Sequence, residues 1–141
     1  MTGFPTATKP QPSSPSIDWS SQVAESYRTR GAWPTLSQLI DARQRFPADI
    51  RLRGYIEIVR NQIVRELVAN PKGLKAVPKL SPEFLSDFGR FNLNAQEGYL
   101  ISLIDGRLDI QKLLKLSPFD TFTTLFNIAR LQYQRAITIP V

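Results

Sequence analysis

The sequence predicts a mainly α fold with little sheet: an N-terminal helical hairpin followed by a second, compact helical module. Three observations carry this expectation. Leu52, Tyr55, Ile56, Val59, Ile63 and Leu67 fall on one stripe at about 100° per residue, the signature of a buried helix face. Helix-start signals recur along the chain, at Asp18 or Ser20, at Thr35 with Gln38, at Asp49, at Asn94 with Glu97, and at Asp109. The strand candidate, Ala136-Ile137-Thr138-Ile139, is short and lies near the end, with Pro140 beside it as at a sheet edge.

Residues 1–16 hold Pro5, Pro10, Pro12 and Pro15 among Ser and Thr, with Phe4 as the large apolar residue. Such a stretch buries too little to offset its ordering entropy, so a disordered, locally polyproline-like arm is expected. Phe4 or Trp19 would anchor that arm on a partner. Residues 17–69 read as a basic helical segment. Asp18 or Ser20 caps a helix to about Arg30, and Gly31 stops it. Pro34-Thr35 opens a second helix, where Thr35 and Gln38 fit a capping box, and Phe46-Pro47 ends it. Asp49 caps the longest helix, to about Ala69. A weaker strip of Ile50, Val64 and Val68 on that helix implies packing between two layers. The short connection at Arg45-Phe46-Pro47-Ala48 predicts that the second and third helices form an antiparallel hairpin.

Asn70-Pro71-Lys72-Gly73 is a stop signal, and residues 70–80 read as a basic, extended linker containing Val77-Pro78. Ser81-Pro82 starts a short helix with proline at its first position. Asn94 opens a helix to about Ile104, and Asp105-Gly106 is a tight turn. Asp109 caps a short helix to about Leu116, and Ser117-Pro118 starts a longer one to about Tyr133. From Asn94 to Ile139 the order is helix, turn, short helix, turn, longer helix, strand. That is the order of a winged-helix or helix-turn-helix core, so residues 81–141 are expected to form a winged-helix-like module. Residues 17–141 would then make one folded unit.

The run Gly98-Tyr99-Leu100-Ile101-Ser102-Leu103-Ile104-Asp105-Gly106 is similar to a pattern in small winged-helix-like modules of bacterial signalling, tetratricopeptide and chaperone-like proteins. Leu113-Leu114, Leu116-Ser117-Pro118, Leu125 to Leu131 and Ile137 to Ile139 extend the resemblance, which covers roughly residues 50–139. More distantly, the Asp105-Gly106 turn and the elements after it resemble peptide-binding domains of the PqqD type. Neither resemblance implies catalytic residues.

Composition excludes several kinds of chemistry. The 141 residues include no His and no Cys, which removes His- or Cys-based catalysis, disulfides and a conventional His/Cys metal site. No cofactor or metal is expected. Paired acids can catalyse without His, but Asp105 is accounted for by its turn, Asp109 by a cap and Glu83 by a first helical turn. There is no glycine-rich phosphate loop. The N-terminus lacks the plan of a signal peptide, and no apolar run approaches a membrane span, so a cytoplasmic location is the default expectation.

Charge is the remaining signal. Net charge is +6, and residues 1–80 carry 12 Lys/Arg against 6 Asp/Glu, while residues 81–141 carry 6 of each. A basic surface attracts acidic proteins, nucleic acid or anionic membranes. A solvated helix face explains the same pattern without any partner. Arg is suited to bidentate capture of carboxylate or phosphate, and aromatics with Arg dominate binding hot spots. The candidate partner-binding residues are therefore Trp19, Trp33, Arg43, Arg45, Arg53, Arg60, Lys72, Lys75 and Lys79. A recognition helix beginning near Pro118 would present Phe119, Asp120, Thr121, Thr123, Thr124 and Asn127. Its first charge is acidic, which argues against base reading. The expected function is a non-enzymatic adaptor or assembly subunit whose partner is a larger acidic protein. The alternative is a nucleic-acid-associated regulator that binds through the Arg-rich helical half.

Limited proteolysis of the isolated protein should trim residues 1–16 and leave the remainder intact; protection of those residues would refute the assignment of an arm.

Overall fold

The computed structural model describes residues 17–141, over which the chain forms seven α-helices and one two-stranded sheet. The fold is mainly α with little sheet, as expected. The arm assigned to residues 1–16 lies outside the described residues. The chain divides into two compact units, Met1–Gln62 and Ile63–Val141. The division falls inside the third helix rather than after residue 69. Residues 70–80, expected as a linker, belong to the second unit.

In the first unit, α1 (Trp19–Arg30) starts at Asp18, whose carboxylate accepts the Ser21 N–H at 3.1 Å and the Ser21 hydroxyl at 2.7 Å. Gly31, at φ 89°, ends α1 by donating its N–H to the Tyr27 carbonyl at 3.0 Å. This left-handed φ favours glycine. Helix α2 (Ala32–Arg45) begins at once, three residues before the start expected at Thr35. Pro34 is tolerated there because the first turn's N–H groups have no intrahelical partner. Thr35 therefore makes no capping box. Its buried Oγ1 lies 2.8 Å from the Gly31 carbonyl and 2.8 Å from Ser26 Oγ. Small buried side chains at that corner let the α1 and α2 backbones come close. The short connection before α3 implies a hairpin of α2 with α3; within this unit the close backbone approach is between α1 and α2.

Helix α3 (Ile50–Val68) starts at Asp49, which accepts the Arg51 N–H at 3.2 Å. Of the predicted stripe, Leu52, Ile56, Val59, Ile63 and Leu67 are each 6% exposed or less, while Tyr55 at its margin is only partly buried. The second strip is not a packed face. Ile50 is 84% exposed and Val68 38%, and only Val64 is partly buried, so the expectation of burial on two sides fails. Ile50 and Val68 are terminal residues of the helix, where a side chain can project past the packed turns into solvent.

The second unit contains the end of α3, a 3-10 turn (Gly73–Lys75), β1 (Lys79–Leu80), α4 (Pro82–Ser86), a second 3-10 turn (Phe88–Arg90), α5 (Ala95–Leu103), α6 (Ile110–Leu116), α7 (Thr121–Tyr133) and β2 (Ile137–Thr138). From Asn94 onward the element order is the expected one. Helix α7 starts three residues later than Pro118: Asp120 is its cap, accepting the Thr123 N–H at 2.7 Å, and Ser117 shapes the preceding turn by accepting the Phe119 N–H at 3.1 Å. Strands β1 and β2 pair antiparallel, Lys79 opposite Thr138 and Leu80 opposite Ile137. Ser81 fixes this junction: its N–H reaches the Ala136 carbonyl at 3.0 Å, its hydroxyl reaches the Arg135 carbonyl at 2.6 Å, and its oxygen caps α4 through the Phe84 N–H at 3.0 Å. The core holds Leu100, Ile110, Leu113, Ile128, Leu131 and Ile137, all nearly inaccessible.

Ile63→Ala should cost about 2–5 kcal/mol by urea denaturation, because it opens a cavity in a close-packed site. A loss under about 0.5 kcal/mol, the range of surface substitutions, would contradict the burial of this stripe.

Candidate functional site

The sequence-predicted residues divide between the two units. In the first, Trp19 is 5% exposed. Its indole N–H donates to Asp49 Oδ2 at 2.9 Å, and its ring meets Phe46 edge-on at 6.1 Å. Arg51 completes the group with Nε to Asp49 Oδ1 at 2.9 Å and Nη2 to Oδ2 at 2.6 Å. That bond to Asp49 holds the Arg51 guanidinium above its ordinary pKa. Trp19 is thus an internal tether between the start of α1 and the start of α3, and it offers no anchor to a partner. Trp33 is half-buried in the first turn of α2. Arg43 and Arg45 are exposed in the last turn of α2, where the helix dipole favours cations; the Arg45 guanidinium lies 6.0 Å from the Phe46 ring centre. Arg53 is exposed, and Arg60, seven residues on and so on the same side of α3, donates to Glu57 at 3.3 Å.

In the second unit, Lys72, Lys75 and Lys79 are exposed, and here the fold brings together what the sequence separates. The Ile110 N–H donates to the Ala76 carbonyl at 3.0 Å, fastening the segment that carries the three lysines to the start of α6. The 3-10 turn holding Lys75 packs on α6. A Cβ placed on Gly106 would sit 3.7 Å from Lys79 Cγ, so the lysine stem runs against the Asp105-Gly106 turn. Arg107, Lys112 and Lys115, all exposed, lie on this second segment. Sequence reasoning missed them because their links to the lysines are tertiary contacts, among them a backbone bond between residues 34 positions apart in the chain.

Three acids of this unit, Asp105, Asp109 and Glu97, direct their charge into the backbone or the interior. Asp105 accepts the N–H groups of Arg107 (2.8 Å) and Leu108 (3.2 Å). Chiefly the bond from the Arg107 N–H keeps its carboxyl below the ordinary value of 3.8. Asp109 caps α6 through Lys112 at 2.8 Å. Glu97 is fully buried. One of its oxygens closes the α5 capping box on the Asn94 N–H at 2.9 Å; the other accepts from Gln134 Nε2 at 3.1 Å and lies 3.6 Å from Arg130 Nε. Beside it, Asn127 donates to Gln96 Oε1 at 3.0 Å, and Ser117 Oγ lies 2.7 Å from Thr124 Oγ1. Thr124 and Asn127, which a DNA-reading helix would have to present, are 0% and 4% exposed.

Apolar surface is also exposed. Phe84, Phe88 and Phe91 cluster with ring centres 5.9 and 5.3 Å from the first, and the Arg90 guanidinium lies 5.3 Å from the Phe91 centre. Phe88 is 66% exposed and the adjacent Leu85 62%. The signal was present in the sequence: three Phe and a Leu within eight residues exceed what a five-residue helix can bury.

Among the described residues no group of His, Cys, Asp and Glu is arranged to hold a metal ion, and no helix is long and apolar enough to cross a membrane. No protein-family model, curated protein or solved structure matches the chain significantly.

The Asp105 turn has a pH signature. A carboxyl whose folded pKa is depressed adds stability that is present above its unfolded value and lost as pH falls through the lower folded value. Asp105→Asn keeps an acceptor for the turn but removes the charge. The variant's denaturation midpoint should lie below wild type at pH 7, and the gap should close as pH falls below 3.8, the ordinary value. A gap independent of pH would show that the charge contributes nothing.

Proposed function

We propose that this protein is a non-enzymatic adaptor or assembly subunit that docks a larger acidic protein in a cytoplasmic complex. One observation carries the reading: six of the twelve carboxylates serve as helix caps, turn ligands or buried ties, while most of the cations of the described residues are exposed. Asp18, Asp49, Asp105, Asp109 and Asp120 each accept backbone N–H groups, and Glu97 is buried among polar partners. Acids held in this way are not poised as catalytic pairs. The exposed cations include Arg43, Arg45, Arg53, Lys72, Lys75 and Lys79, together with Arg107, Lys112 and Lys115. The second reading, a nucleic-acid-associated regulator, draws on the same cations, and the burial of Thr124 and Asn127 counts against base-specific recognition by α7.

Salt separates the two readings. Neutralising about six or more phosphates makes duplex binding fall by roughly a thousandfold or more between about 50 and 200 mM salt. A protein interface with a desolvated aromatic and apolar centre loses far less, since salt chiefly screens its rim. The native complex should survive about 150–200 mM salt and nuclease treatment, while binding to duplex DNA disappears in that range. Trp33→Ala is the first aromatic test, because Trp19→Ala removes a core tether and reports on folding. A complex that dissolves with nuclease, or tight duplex binding at physiological salt, would replace the adaptor reading with the second.

A further inference from the structure

The second unit contains a cationic face made from two segments that the sequence keeps apart. Lys72, Lys75 and Lys79 ride on the segment leading into β1; Arg107, Lys112 and Lys115 ride on the turn and helix beside it. The Ile110–Ala76 backbone bond and the contact of the Lys79 stem with the Gly106 turn hold the two segments together. Lys72 is positioned as well: its N–H donates to Asn70 Oδ1 at 2.8 Å, and Asn70 in turn donates to the Pro140 carbonyl at 3.2 Å. The cations are therefore displayed from a fixed backbone, which lowers the entropy lost on engaging a ligand.

We propose that this face binds an acidic protein segment in which carboxylates are interspersed with aliphatic side chains. The proposal rests on the adaptor reading and names the face and the partner chemistry. Three features favour that ligand over nucleic acid. First, Asp105 and Asp109 sit among the cations, and both are oriented by backbone N–H groups. A duplex presents an unbroken negative field, about one charge per 1.7 Å of axis, which these acids would oppose. Spaced carboxylates on a peptide can avoid them. Second, neither residues 72–80 nor residues 105–116 contain an aromatic, so the face has no platform on which bases could stack. Third, the same two segments carry accessible aliphatic side chains: Leu116 is 54% exposed, and Leu74 and Leu108 are partly exposed. Such residues can pack against leucines of the ligand but do not read phosphate.

The test uses the full chain and a fluorescently labelled peptide of alternating glutamate and leucine, titrated by anisotropy at about 150 mM salt. Saturable binding is expected. Lys79→Gln with Arg107→Gln should weaken it by about fivefold or more, and Lys75→Gln with Lys112→Gln should do the same. Gln44→Glu with Gln132→Glu lowers net charge by the same amount at exposed sites elsewhere and should leave the affinity unchanged. Circular dichroism confirms that each variant is folded. Wild-type affinity in both neutralised variants, or loss in the Gln→Glu control to the same degree, overturns the assignment of the face. So does a duplex that displaces the peptide at equal net charge. The native complex distinguishes this failure from failure of the adaptor reading. If the complex resists nuclease yet is indifferent to both neutralised variants, the face is wrong and the adaptor reading stands.

Discussion

A helix begins with N–H groups that have no partner within it, and these must be met by side chains or water. In a chain built of short helices this demand recurs often, since an isolated helix of five to thirteen residues would be marginal without its caps and tertiary packing. Here it is met chiefly by side chains of one chemical kind. Asp18, Asp49, Asp109 and Asp120 open α1, α3, α6 and α7, while Ser81 and Asn94 open α4 and α5. Helix α2 is the exception and starts from Gly31 without a side-chain cap. Carboxylates suit the role twice over, as acceptors and as charges favoured by the positive end of the helix dipole. The consequence reaches beyond local structure. Acids committed to helix starts are oriented toward the backbone, so lysine and arginine outweigh the acids that remain exposed, such as Glu25, Asp41, Glu57, Glu66 and Asp87.

Two of these acids extend the same logic into tertiary structure. Asp49 caps α3 and also receives the Trp19 indole, so the start of one helix fixes the start of another about 30 residues earlier. Glu97 completes the capping box of α5 and accepts from Gln134 just beyond α7. A buried carboxylate is tolerable only when its oxygens are satisfied, and Glu97 meets that condition with a backbone donor, an amide donor and the nearby Arg130. Nonpolar packing brings α5 and α7 together through Leu100, Ile128 and Leu131, while the Glu97 and Asn127 bonds select one relative placement.

Features that depend on local chemistry were legible in the sequence. The stripe on α3 was visible because period and burial are the same fact, and the Asn94–Glu97 box because three-residue spacing sets its geometry. Errors arose where a local signal had a nonlocal use. Thr35 and Gln38 have capping-box spacing, yet Thr35 lies inside α2 facing Ser26, a contact set by the α1–α2 corner. Pro118 looked like a helix start, but Asp120 provides the stronger cap two residues later. Trp19 looked like a docking anchor because an indole near a proline-rich stretch invites that reading; its partner, Asp49, is not adjacent in any pattern. The joining of Lys79 to the Gly106 turn depends on sheet register and one backbone bond, neither of which has a local signature.

The division of charge changes when the compact units replace a boundary drawn from sequence. Cut at residue 80, the whole cationic excess falls in the first part. Cut at Gln62, the first unit carries 8 Lys/Arg against 5 Asp/Glu and the second 10 against 7, an excess of three in each. Cationic excess is then a property of both units, and the proposed attraction to an acidic partner would draw on each of them. At physiological salt such a field is screened within about 8 Å, so it governs approach and orientation more than residence. Residence requires surface that loses water on contact, and in the second unit that surface is aromatic and aliphatic: Phe88, Leu85, Tyr99 and Tyr133 are each about half or more exposed. Cations that steer and apolar groups that hold are distinct parts of a docking surface. The cations were conspicuous in the composition, and the density of Phe84, Leu85, Phe88 and Phe91 hinted at apolar surface; which of these is exposed becomes visible when burial is known, because in sequence an exposed phenylalanine and a core phenylalanine are written alike.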